Sequence, residues 1–174
     1  MGDAILDGFL ARSHDEAMAL AASSDLLDLE VLGGTPPRRF IAHFTCTGLV
    51  YRDNAVQKTD AFAVGYNFPL DYLRSPPNPL HMITWLGPHD VHHPNVRAPF
   101  ICLGKLAHGA RLVDLLYQTF DLITYQSVTM VEHDALNAAA CVWARQHVDE
   151  LPIDPRPLKW RSKNNNAYTE GEAL

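Results

Sequence analysis

The run His93-Pro94-Asn95-Val96-Arg97-Ala98-Pro99-Phe100-Ile101-Cys102-Leu103 stands where the patterning of this 174-residue chain changes. Before it, apolar and polar residues alternate with a period of two, as half-buried strands require. Leu27, Leu29 and Val31 share one face of a first strand, which ends at the turn Gly33-Gly34-Thr35-Pro36-Pro37. Phe40, Ala42, Phe44 and Cys46 share a face of a second strand, and Phe62, Val64, Tyr66 and Phe68 of a third, joined through the polar Arg52-Asp53-Asn54 region. Residues 80–86 supply a fourth strand after the proline-stiffened loop at 75–79. Connections this short imply an antiparallel meander. After the run, Leu112, Val113, Leu116, Phe120 and Ile123 form one helical stripe, and Leu136, Ala139, Ala140, Trp143 and His147 form another. Ser13-His14-Asp15-Glu16 has the form of a capping box and predicts a first helix over 14–24. The stretch from Gly87 to Cys102 is too rich in turn formers for a regular element. The expected fold class is therefore α+β: an N-terminal helix, a four-stranded antiparallel meander, a long irregular loop and C-terminal helices.

Composition narrows the function. With 14 Lys+Arg against 20 Asp+Glu, a formal net charge of −6 and 47% hydrophobic residues, the chain suits one soluble domain with a sizeable core. It has no cationic run to displace phosphate counterions, so nucleic acid is not an expected partner. No apolar run reaches the ~20 residues of a membrane span, and Met1-Gly2-Asp3-Ala4 lacks the basic-then-apolar start of a signal peptide. A cytoplasmic location without a membrane partner is expected. Cys46, Cys102 and Cys141 are odd in number and lack a Cys-x-x-Cys pair, which argues against a disulfide framework or a cysteine zinc site. Cys46 and Cys141 lie on apolar stripes and read as core. His81, His89, His92 and His93 crowd the approach to Cys102, and imidazole with thiolate is a zinc-type ligand set, but their spacing matches no standard zinc signature. No metal and no cofactor are expected. The boundaries read as an N-terminal extension at 1–13, a domain at 14–150 and a tail at 151–174, where Pro152, Pro155 and Pro157 prevent a helix.

Four features in order now carry a resemblance. They are the double-proline turn Tyr72-Leu73-Arg74-Ser75-Pro76-Pro77, the tripeptide His93-Pro94-Asn95, the segment Phe100-Ile101-Cys102-Leu103, and the later stretch Asp134-Ala135-Leu136-Asn137-Ala138-Ala139-Ala140. Together, over about residues 14 to 150, they resemble the ubiquitin-conjugating enzymes, the thioester carriers of ubiquitin transfer. That family has a Tyr-Pro-x-x-Pro-Pro loop, then His-Pro-Asn, then Ile-Cys-Leu, then a crossing helix and an Asp/Asn-Pro-Leu-Asn-x-x-Ala-Ala helix start. The resemblance implies the family's fold and a catalytic domain over 14–150. It also implies departures. Leu73 and Ala135 replace family prolines, the Asn95–Cys102 interval is one residue short, and Gly104-Lys105 and Leu106-Ala107-His108-Gly109 lack the segment that helps dock RING-type ligases. Asp15, Glu16 and Asp25 make the first helix acidic where eukaryotic members present basic residues to their activating enzyme. The chain is in these respects more similar to divergent members of bacterial ubiquitin-like operons linked to antiviral (phage) defence.

The resemblance implies an enzyme that accepts a ubiquitin-like modifier from an activating enzyme as a Cys102 thioester and passes it to an amine, most simply a lysine, of a protein target. Such chemistry needs an accessible thiol that takes an acyl group and gives it up to a nucleophile. By resemblance, Asn95 hydrogen-bonds the oxyanion and holds the loop, His93 is a structural histidine, and Asp134 orients the amine and favours its proton loss. Asn95, following a proline, can also be read as a turn residue, and Asp134 is equally readable as an acid favoured near the helix start signalled by Thr129-x-x-Glu132. Two rival readings are a catalytically inactive module of the same fold that binds ubiquitin-like proteins, and a Cys-His hydrolase, which needs a histidine within about 3 Å of Cys102.

Overall fold

The structure, a computed structural model, describes residues 3–159. It is a mixed α+β arrangement. Helix α1 (Ala4–Ala22) precedes strands β1 (Leu27–Val31), β2 (Arg39–Phe44), β3 (Gly48–Arg52), β4 (Ala55–Thr59) and β5 (Phe62–Asn67). A single-turn helix α2 (Pro79–Met82), β6 (Ile83–Gly87), the short ribbon β7 (Val96–Arg97) and β8 (Phe100–Ile101), and helices α3 (Leu112–Ile123) and α4 (Ala138–Gln146) complete it. No described helix is long and apolar enough to cross a membrane.

The expected alternation builds a four-stranded antiparallel sheet in the order β1-β2-β5-β6. Phe40, Ala42 and Phe44 of β2 and Phe62, Val64 and Tyr66 of β5 all point into the core. Helix α3 lies in the same core through Leu112, Leu115, Leu116, Phe120 and Ile123, and the Tyr66 hydroxyl donates to Thr119 Oγ1 at 2.7 Å. Burying apolar side chains at roughly 1.5–3 kcal/mol each is the main force holding helix to sheet.

Four expectations need correction. The first helix starts at Ala4, not at 14, because Asp3 caps it by accepting from the Ile5 and Leu6 amides. The 1–13 extension is thus mostly helix. Ser13 is not a cap: it is buried within α1, and its Oγ accepts the Leu112 N–H at 2.8 Å, satisfying an orphan amide at the start of α3. Ser13→Ala should therefore destabilise the protein by about 1–3 kcal/mol, the cost of stranding a buried N–H. A thermal melt checks this, at roughly 2–4 °C per kcal/mol for a chain of this size.

The meander, second, is interrupted. Arg52-Asp53-Asn54 is no plain connector but the tip of a β3–β4 hairpin, with Asp53 and Asn54 both at positive φ (51° and 59°), as a tight two-residue hairpin turn requires. At its base Gly48 permits a close approach, since a Cβ there would meet the Phe62 ring at 2.5 Å. Third, the second strand stops at Phe44, leaving Cys46 buried beyond it, and residues 80–82 are helical, so the fourth strand begins only at Ile83. Fourth, the start of the tail is packed. Leu158 is buried, and the buried Asp154 accepts the Thr47 N–H and pairs with Arg156 at 2.6 Å. The rest of the tail, 160–174, lies outside the described residues.

Candidate functional site

The stretch from Gly87 to Cys102, expected to hold no regular element, contains the short antiparallel β7–β8 ribbon and owes its shape to a few directed bonds. Trp85 Nε1 donates to the Pro88 carbonyl where the loop leaves β6, and the Trp85 N–H donates to Pro99 O at 2.8 Å, docking the β7–β8 ribbon on the sheet edge. In that ribbon Val96 pairs with Ile101 and Arg97 with Phe100, leaving Ala98-Pro99 as a two-residue turn. The next rung puts Cys102 opposite Asn95, and the Cys102 N–H donates to Asn95 O at 2.9 Å. The short interval between Asn95 and Cys102 is thus the length that pairs the two residues across a ribbon.

Asn95 braces three segments. Its backbone N–H donates to His93 Nδ1 at 3.0 Å, its Oδ1 accepts the Thr129 N–H at 2.9 Å, and its Nδ2 donates to the Cys102 carbonyl at 3.2 Å. His93 is buried against Tyr125, with ring centroids 4.3 Å apart. Burial pushes its pKa down to about 3, with the Leu122 backbone pulling the other way and the neighbouring His92 lowering it further. It is a neutral imidazole with its proton on Nε2, because Nδ1 accepts. Tyr125, which the sequence reading missed, donates its hydroxyl to His92 O, and burial pushes that phenol well above its ordinary value. Nothing in local sequence marks Tyr125: only the return of the chain after α3 brings it under the loop.

The buried neutral His93 has a pH consequence. In the unfolded chain the imidazole protonates near its usual 6.5, whereas in the folded protein it resists down to about 3, so its stability contribution is present above pH 6.5 and is lost as pH falls towards 3. His93→Gln should flatten the acid limb, removing a pH dependence on the order of a few kcal/mol. Denaturant midpoints taken from neutral pH down through that window would reveal it.

Of the three cysteines, Cys46 and Cys141 are buried and Cys102 is exposed. Desolvation, with Asp154 nearby, pushes the Cys46 thiol up to about 12, which makes it inert. Cys102 borders a cavity of about 250 Å³ lined also by Asn95, Gly104, Gln118, Asp121 and Thr129. No histidine lines it. Asp134, the acid named by resemblance, sits on an exposed 3-10 turn (Glu132–Asp134) and is not among the lining residues. That turn does not begin a helix: α4 starts later, capped by Asn137, whose Oδ1 accepts the Ala140 N–H and whose own N–H donates to Pro94 O at 3.0 Å. The cavity's acid is Asp121 on α3, whose carboxyl is raised by burial.

No protein-family model matches this chain, and no curated protein is significantly similar to it. The site must be judged on its chemistry. Of the clustered histidines, His92 and His93 are buried while His81 and His89 are exposed, and among the described residues no three His, Cys, Asp or Glu side chains converge on a point that could hold a metal ion. The arrangement is an accessible thiol beside a fixed carboxamide, with a carboxylate in the same cavity. Such a set can carry an acyl group and pass it on.

Proposed function

We propose that the protein is a conjugating enzyme for a ubiquitin-like modifier, taking the modifier's C-terminus from an activating enzyme as a Cys102 thioester and transferring it to an amine, most simply lysine, of a protein target. The observation that carries this reading is the pairing of an exposed Cys102 thiol with an Asn95 carboxamide held across the same ribbon rung. Attack on a thioester builds negative charge on its carbonyl oxygen, and a prefixed N–H donor lowers that barrier without reorganising. Asn95 Nδ2 spends one proton on the Cys102 carbonyl and keeps a second for this purpose. ATP is consumed by the activating partner, and no metal or organic cofactor enters the transfer. The acidic first helix and the absence of the ligase-docking segment favour a divergent system of the bacterial antiviral type, acting in the cytoplasm. The hydrolase reading is disfavoured by the lack of a histidine lining the thiol's cavity and by the commitment of His93 Nδ1 to the Asn95 amide.

The test is a non-reducing gel of the protein with a charged activating enzyme, its modifier and ATP. A reductant-sensitive adduct supports the carrier. No adduct while the activating enzyme is visibly charged, together with tight binding of the free modifier in a titration, favours an inactive binding module instead.

A further inference from the structure

We infer that Gln118 and Asp121 of α3 form the seat of the incoming amine beside Cys102, with Asp121 as the group that takes its proton. The inference rests on the carrier reading above. Gln118 and Asp121 stand three residues apart on α3 and so share a face, and both line the cavity that Cys102 borders. Gln118 Oε1 is closed to solvent and has no hydrogen-bond partner, so its side chain must turn to meet a ligand, whereas the Asp121 carboxylate has no donor among the described residues and needs no such movement. Two acceptors without donors, next to a nucleophilic thiol, call for a ligand that only donates. A primary ammonium has three N–H donors and no acceptor. The cavity, about 250 Å³, admits one side chain rather than a folded surface.

The transfer balances on these groups. The bound ammonium gives one proton to the Asp121 carboxylate, the freed amine nitrogen attacks the thioester carbonyl, the C–N bond forms and the C–S bond breaks with its electron pair leaving on Cys102 Sγ. A second proton passes from that nitrogen to the departing thiolate, and Asp121 returns its own to solvent. The charged and titratable groups around Asp121 are few. Cys102 faces it from the loop and Tyr117 from its own helix, while Asp154 and Arg156 lie across the cleft on its other side and neutralise each other as an ion pair. Partial burial makes the carboxylate a stronger base than an exposed one. By resemblance this task falls to Asp134, which does not line the cavity.

The experiment uses the full chain acylated at Cys102 by a glycine-terminated peptide supplied as its 2-mercaptoethanesulfonate thioester, which needs no activating enzyme. Discharge to free lysine and to hydroxylamine is followed by intact mass from about pH 6 to about pH 9, hydroxylamine being uncharged at neutral pH whereas lysine, with a reference pKa of about 10.4, is not. Asp121→Asn should load like wild type, discharge to lysine about 10²-fold more slowly at neutral pH, and recover as pH rises. Its discharge to hydroxylamine should be unchanged, and Asp121→Glu should restore part of the lysine rate. Equal lysine rates for Asp121→Asn and wild type, an equal loss with both nucleophiles, or a loss confined to Asp134→Asn would each overturn the inference while leaving the carrier intact. A wild-type chain that cannot be loaded at Cys102, or whose adduct never yields to any amine, would instead remove the carrier reading and this inference with it.

Discussion

Replacing Cys102 with alanine is expected to abolish the modifier adduct entirely, and replacing it with serine to convert a reductant-sensitive adduct into a reductant-resistant one. An oxyester is a poorer acyl donor than a thioester, so Cys102→Ser should also trap the modifier, with discharge to amines falling below detection. Stability should stay within about 0.5 kcal/mol of wild type in both variants, because an exposed side chain away from the core is being changed. The other two thiols give the opposite signature. Cys46→Ala and Cys141→Ala remove buried sulfur from packed surroundings and should lower the melting temperature while the adduct still forms. Intact mass before and after reductant, paired with a melt, separates the two classes. An adduct that persisted in Cys102→Ala would place the chemistry elsewhere.

Asn95 is the second large effect, and two substitutions divide its roles. Asn95→Ala removes the acceptor for the Thr129 N–H, the donor to the Cys102 carbonyl and the spare N–H together. Thioester discharge should fall about 10²–10³-fold, as when an oxyanion donor is deleted, with a stability loss of roughly 1–3 kcal/mol from the stranded amide. Asn95→Asp keeps the acceptor towards Thr129 but places a carboxylate where the oxyanion would form. It should hold much of the stability while losing discharge at least as severely. Single-turnover discharge measured beside a denaturant titration checks both. If Asn95→Asp discharged like wild type, Asn95 would be a brace and nothing more.

Legibility in the sequence followed the reach of the forces involved. Period-two alternation announced β1, β2 and β5, and the stripe from Leu112 to Ile123 announced α3, because one-sided burial leaves a periodic trace. The start of α1 was missed because Ser13-x-x-Glu16 imitates a cap, although Leu6, Leu10, Ser13, Ala17 and Leu20 mark a single buried face running through it. The β3–β4 hairpin escaped because β4 is largely solvent-facing and so carries no alternation. Cys102, Asn95 and His93 were named by their motif, and the structure brings them together. Gln118 and Asp121 could not be found that way. Their signal is tertiary: two polar residues on the flank of an apolar helix gain meaning only when the loop bearing Cys102 folds over them.

The β3–β4 hairpin grips that same loop. Val50 bridges Val91, the Tyr51 N–H donates to Asp90 O, the His92 N–H donates to Leu49 O, and Arg52 pairs with the Asp90 carboxylate, so residues 90–92 are held as if they were a third strand just before His93. The hairpin and the loop bearing Cys102 are therefore one structural unit. A chimaera that grafts residues 87–104 onto another scaffold would have to bring 48–59 along with them, and a family of such proteins would be expected to vary the two segments in step.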